Sequence, residues 1–135
     1  MPRTPDQKVV EQIKTGIVAM LEEKGSGLSF VKLGEIPGFT GNLELVTKKA
    51  NIIFWQGVSI EAITALQKMK DAEIIEFEWS SVFTYCTEGI LLRLPVAQFL
   101  DLALMKRGLL GAYETPHWLP VVFKKGKNFQ RQVAA

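Results

Sequence analysis

The sharpest constraint in this chain is a change of hydrophobic period within residues 59 to 94, SIEAITALQKMKDAEIIEFEWSSVFTYCTEGILLRL. In its first half Ile63, Leu66 and Met69 recur at three-residue spacing with Ala62 and Ala65 beside them, whereas Glu61, Thr64, Lys68 and Asp71 fall on the opposite face. That is an amphipathic helix with one core stripe and one open stripe. Ser59 stands where a side-chain oxygen accepts from the orphan amides of the first turn, with Val58 and Ile63 at the positions of a hydrophobic staple. After Ala72 the period becomes two: Ile75, Phe77 and Trp79 alternate with Glu76 and Glu78, the pattern of a half-buried strand. Ser80-Ser81 is a weak turn signal, Val82, Phe83 and Tyr85 form a second β-prone run, and Glu88-Gly89 reads as a tight turn. Ile90, Leu92 and Leu94 alternate with Leu91 and Arg93 until Pro95, which has no amide hydrogen for a ladder. The expectation is a helix running into a β-ribbon, residues 74 to 79 paired with 90 to 94.

Other elements arrange themselves around this unit. Thr4 is a candidate cap for a first helix, with Pro5 at its first position and Gln7 completing a variant capping box. Val9, Ile13, Ile17, Met20 and Leu21 carry its apolar stripe, and Lys24-Gly25 supplies a cation and a permissive residue at its end. Residues 28 to 36 fit a short helix capped by Ser29, with Phe30 and Leu33 inward, and fit a strand nearly as well; Pro37-Gly38 ends either one. Over residues 42 to 55, with Leu43, Leu45 and Val46 before Lys48-Lys49 and then Ile52, Ile53, Phe54 and Trp55, period does not choose between strand and helix. Beyond Pro95 the face formed by Val96, Phe99, Leu100, Ala103 and Leu104, closed by Lys106-Arg107-Gly108, predicts a helix packed on the core. Val121 to Phe123 is expected to be an edge strand, and Lys124-Lys125-Gly126-Lys127 an exposed turn.

The 135 residues suit one domain, with 47% hydrophobic and 22% charged residues marking a globular chain that can bury a core. A single cysteine, Cys86, excludes an internal disulfide and a Cys-rich zinc site, and with no signal-peptide pattern after Met1 it points to a reducing cytoplasm. The apolar stretch 90 to 112 is too interrupted by charges and Pro95 to span a bilayer, so no membrane partner is expected. Charge is unevenly spread: seven bases against six acids (+1) over residues 1 to 58, three against six (−3) over 59 to 94, and six against two (+4) over 95 to 135.

The order helix (5 to 24), short helix (about 29 to 36), helix (60 to 72) and ribbon resembles the winged-helix variant of the helix-turn-helix superfamily. SIEAITALQKMKDAEIIEF looks like the recognition helix and first wing strand of bacterial regulators. The roughly 20 residues between positions 38 and 58 are a departure from the usual connection of three or four. The fold class expected is α+β: three N-terminal helices with a β-ribbon, then a C-terminal helix and basic tail, in one domain over residues 1 to 135. The resemblance implies a DNA-binding regulator whose helix from Ser59 enters the major groove. Thr64, Gln67 and Lys68 would then reach bases or phosphates, supported by Lys48, Lys49, Lys124, Lys125 and Lys127 if these flank the helix. Glu61, Asp71, Glu76, Glu78 and Glu88 oppose that reading, since each acid repels a phosphate. The open stripe is otherwise a solvated face.

The alternative is a protein-interaction or scaffolding module, or self-association, through Trp79, Phe83, Tyr85 and Trp118. Aromatics are enriched at such seams, though they also fill cores. No enzyme is expected. His117, the only histidine, sits beside Trp118 and prolines, and Cys86 lies in a predicted strand with an acid nearby. One histidine and one cysteine cannot build a usual zinc shell, no Gly-rich stretch has phosphate-loop spacing, and neither metal nor cofactor is expected.

Overall fold

The computed structural model describes residues 4 to 47 and 50 to 129. The first helix, α1 (Gln7–Lys24), begins later than its sequence suggests because Asp6, not Thr4, is the cap. The Asp6 carboxylate accepts from the Lys8 N–H at 3.0 Å, and its own N–H donates to Glu61 at 2.9 Å. Val10, Ile13, Ile17 and Leu21 are buried along the helix, and the Gly25 N–H closes it on the Leu21 carbonyl at 2.7 Å. Residues 28 to 36 take the helical alternative: α2 (Phe30–Leu33) is capped by Ser29, with Phe30 and Leu33 buried. Leu28, just before it, makes one antiparallel bridge to Phe123.

The undecided stretch is a hairpin of β1 (Thr40–Thr47) and β2 (Ile52–Val58), with Glu44 opposite Gln56 and Leu45 opposite Trp55. Almost all of β1 faces solvent, while β2 sends Ile52, Ile53, Trp55 and Val58 into the core. Its base is tied at one point: the Ser59 N–H donates to the Phe39 carbonyl at 2.9 Å and the Ser59 hydroxyl to the Gly38 carbonyl at 2.6 Å. Only a glycine fits at position 41, where a Cβ would lie 2.6 Å from the Ser59 Cα. The long connection therefore leaves and returns at the same corner.

From that corner runs α3 (Ile60–Asp71), capped as expected by Ser59, which accepts from the Ala62 N–H at 3.0 Å. Ala62, Ala65, Leu66 and Met69 are buried on it. Glu61, expected on the open stripe, is 3% exposed because the start of α1 lies over it and the Asp6 N–H takes its carboxylate.

The strand β3 (Ile75–Trp79) forms as its alternation predicts, but its partner is not residues 90 to 94. The second β-prone run is instead α4 (Val82–Glu88), capped by Ser81, with Tyr85 buried and Gly89 (φ 82°) ending it in the left-handed region. Phe83 and Tyr85, two residues apart, fit a strand face, but the pair that packs on the core is Val82 and Tyr85, three apart as on one face of a helix. Cys86 is thus an exposed helical residue, not a strand residue. Residues 90 to 94 belong to no strand; Leu92 and Leu94 lie against the core from a loop. The chain continues through α5 (Phe99–Lys106) and the short β4 (His117–Trp118), which joins β2 in parallel, to β5 (Val121–Lys125). β5 is the true partner of β3, with Phe77 opposite Phe123 and Trp79 opposite Val121. β5 is an edge strand of this two-stranded sheet, as expected, but one isolated bridge to Leu28 and the burial of Val121, Val122 and Phe123 cover its other side.

Two further expectations change. Val96 bridges to Trp118 instead of starting the C-terminal helix, and α5 meets the core through half-buried Leu102, not through Phe99 and Leu100, and has no fully buried residue. The exposed turn is Gly126 to Asn128, since Lys124 and Lys125 still belong to β5. That turn clasps the exit of α3. The Gly126 N–H donates to Ile74, the Asn128 N–H to Glu73 and the Asn128 side chain to Ala72. A Cβ at Gly126 would run into the Glu73 carbonyl.

The core is an aromatic cluster: Trp55 stacks on Phe30 at 5.6 Å and meets Tyr85 at 5.0 Å and Trp118 at 6.0 Å. Its chains come from α2, β2, α4 and β4, so the excursion between β3 and β5 is anchored in the same core as α1 and α3. The architecture is mixed α+β. Among the described residues no helix is long and apolar enough to cross a membrane.

Candidate functional site

The exposed stripe of α3 is shorter than its sequence implies. Ser59 is 7% exposed and its hydroxyl is spent on the cap and on Gly38. Thr64 is half-buried and donates to the Ile60 carbonyl at 2.7 Å. Gln67 and Lys68 remain exposed, the first donating to Asp71 and the second to the Gln7 side chain of α1 at 3.2 Å. Lys48 and Lys49 lie outside the described residues.

The basic tail does reach the neighbourhood of this helix, but it arrives beside acids. Strand pairing sets Lys124 opposite Glu76, and its ammonium lies 3.6 Å from Glu76 and 3.7 Å from Glu78. Lys127 pairs with Glu73 at 3.0 Å, and the Lys125 ammonium sits 5.0 Å from the Phe129 ring centre. Part of the acidic centre, Glu76 and Glu78, therefore faces Lys124 of the basic tail across one strand pair, and Glu73 meets Lys127 at its end, which reduces the positive field these lysines present.

The aromatic candidates separate into two groups. Tyr85 and Trp118 are 0% and 1% exposed and belong to the core, not to a surface. The Tyr85 hydroxyl donates to the Val121 carbonyl at 2.7 Å and accepts from the Phe30 N–H at 3.2 Å. Burial raises its pKa well above the ordinary tyrosine value of 10.0; the Phe30 N–H lowers it in part and nearby Glu88 adds to the rise. Trp79 and Phe83 are exposed at 46% and 73%.

They are not isolated. Of the ten large hydrophobic residues exposed among the described ones, eight lie between positions 79 and 110, in the excursion that separates β3 from β5 and at its entrance. Trp79, at the end of β3, meets Phe99, at the start of α5, edge to face at 4.6 Å. Phe99 is nevertheless 70% exposed and Leu100 beside it 67%. These residues were read in sequence as the inward face of the C-terminal helix; they are its outward face. The helix is set in this orientation from below. Tyr113 accepts from the Gln98 N–H at 3.0 Å and donates to Asp101 at 2.8 Å, while its own backbone is held by Ala50 and Asn51 at the hairpin turn. Burial, and then Asp101, raise the Tyr113 pKa, so the phenol stays protonated and keeps donating.

The Nδ1 of His117 is 2.8 Å from the Thr115 carbonyl and its ring stacks on Tyr113 at 3.6 Å, and these two contacts fix its orientation. Among the described residues there is no cluster of three or more metal-ligating side chains. Comparison of the chain with protein-family models, with curated proteins and with solved structures finds no match.

Proposed function

We propose that this chain is a non-enzymatic interaction module that docks another protein on the outward face formed by Trp79, Phe99 and Leu100. The observation that carries this reading is α5: an apolar helix, tied down through Tyr113 and Asp101, with no buried residue of its own. Large exposed apolar patches on a folded chain are characteristic of contact surfaces, and burying Phe or Leu side chains contributes about 1.5–3 kcal/mol each. An aromatic pair such as Trp79 and Phe99 suits the centre of such a surface. The test is a photo-crosslinker placed at position 100, read with the protein alone and in cell extract, with and without Phe99→Asp. Loss of a defined adduct on that substitution is expected; an adduct pattern indifferent to it would remove the surface from consideration.

A second reading, a winged-helix-like domain that binds duplex DNA, has its own support. The connectivity α1, Leu28, α2, α3, β3, β5, with Leu28 and β3 on either side of β5, agrees with that arrangement. The closed base of the β1–β2 hairpin keeps α2 and α3 at one corner despite the long connection. It takes second place because Lys124 and Lys127 are paired with acids. A salt titration of binding to generic duplex DNA separates the two, since phosphate contacts weaken steeply with salt. An absence of binding at low salt leaves the protein-docking reading alone.

A further inference from the structure

A cavity of about 160 Å³ opens between the β1–β2 hairpin, α3 and the β3–β5 pair. One wall is a run of rings: Phe54 and Phe77 are 5.6 Å apart, Phe77 and Phe123 6.3 Å, and Phe123 and Phe30 5.3 Å. Ile63 and Leu66 of α3 form the opposite side. Among the described residues the polar lining is Thr47, Gln67 and Lys70, one cation and no acid.

Lys70 is placed to meet a ligand. Its ammonium lies 5.0 Å from the Phe77 ring centre, on the aromatic wall itself, and among the described residues it makes no ion pair. Gln67, one turn earlier on the same face of α3, uses its amide on Asp71, which lies outside the lining. An apolar slot with a single cation at its polar end is complementary to a small amphiphile whose charge is negative. The size is right for one ring or a chain of a few carbons: an engineered apolar cavity of about 150 Å³ holds benzene.

We propose that this slot binds a small aromatic or short aliphatic carboxylate, its apolar body among the phenylalanines and its carboxylate on the Lys70 ammonium. Neither reading of the preceding subsection is required. Because Ile63, Leu66, Gln67 and Lys70 all belong to α3, an occupant would bear directly on that helix and on the hairpin above it.

The experiment is a titration of the whole chain followed by amide NMR, with benzoate and hexanoate as carboxylates and benzyl alcohol and hexanol as neutral counterparts. Benzoate or hexanoate is expected to shift the amides of Phe54, Phe77, Gln67 and Lys70 and to bind more tightly than its neutral counterpart. Lys70→Met keeps the apolar stem of an exposed side chain, so the fold is retained. It should weaken carboxylate binding about tenfold and leave the alcohols unchanged. Shifts confined to other parts of the molecule, no saturable shift with any probe, or equal affinity of carboxylates for the wild type and Lys70→Met would each overturn the proposal.

Discussion

The Tyr85 hydroxyl donates to the Val121 carbonyl across 36 residues of chain, pinning the first helix of the excursion to the strand that ends it. Because the same oxygen accepts from Phe30, one phenol joins α4, β5 and the cap of α2.

Stability should fall above pH 10, and Tyr85 is one reason. Its folded-state pKa is raised, so between the ordinary value of 10.0 and the folded value the unfolded chain loses a proton that the folded chain keeps. The contribution is whole below pH 10 and declines as pH rises. Urea melts from pH 8 to 11 should show this slope, shallower in Tyr85→Phe, with Tyr113 supplying part of the remainder. The same substitution leaves the Phe30 N–H and Val121 carbonyl unpaired and should cost about 1–3 kcal/mol at pH 7.

Ser59→Ala removes both the cap of α3 and the tie to Gly38. A loss of about 1–2 kcal/mol is expected in denaturant melts. Hydrogen exchange should quicken at the hairpin base as well as at Ala62, whereas a cap acting alone would affect only the helix.

Gly126→Ala forces a methyl group onto the Glu73 carbonyl. Backbone must move, and a loss of more than about 2 kcal/mol is expected. Gly111→Ala, where a Cβ meets open space, is the control and should lie within about 0.5 kcal/mol of the parent.

Phe99→Asp should leave the melting midpoint nearly unchanged, because the ring is mostly solvent-exposed already. Association with a partner or with a second copy, read by sedimentation velocity, should be lost. A large drop in stability instead would mean that Phe99 serves the fold through Trp79.

Glu76→Gln with Glu78→Gln leaves Lys124 without either of its acids. Surface pairs of this kind contribute little, so stability should change by less than about 1 kcal/mol. If the chain binds duplex DNA, the double substitution should tighten binding and steepen its salt dependence by about one unit of slope. An unchanged slope would separate Lys124 from any phosphate contact.

Much of the local structure was legible. Ser59 and the 3.6-residue stripe behind it specify α3 and the alternation of Ile75, Phe77 and Trp79 specifies β3, whereas Ser29 marks a candidate helix start that a strand reading of residues 28 to 36 matches nearly as well. Partners were not legible, because pairing is decided by packing across long stretches of chain. Residues 90 to 94 alternate well enough to serve β3, but Phe123 offers Phe77 a ring contact and Leu28 a bridge, and that pairing prevails. The same limit affects the sites. Tyr85 and Trp118 read as surface candidates until they meet each other and Trp55 in the core, and the tail lysines read as free until the strand register sets Lys124 against Glu76. Phe99 and Leu100 carry an apolar signal whose direction, inward or outward, periodicity cannot specify. The slot beneath the hairpin draws on six elements, and no local pattern in the sequence marks it.

The pairing of β3 with β5 also sets an order of events during synthesis. A ribosome that has released residue 79 has delivered only one leg of that pair, and its mate is not available until about forty residues later. Until then the growing chain carries Phe77 and Phe30 without the ring that separates them from water. Nascent chains arrested before position 121 should therefore be captured by hydrophobic-binding chaperones, and released once Phe123 has emerged.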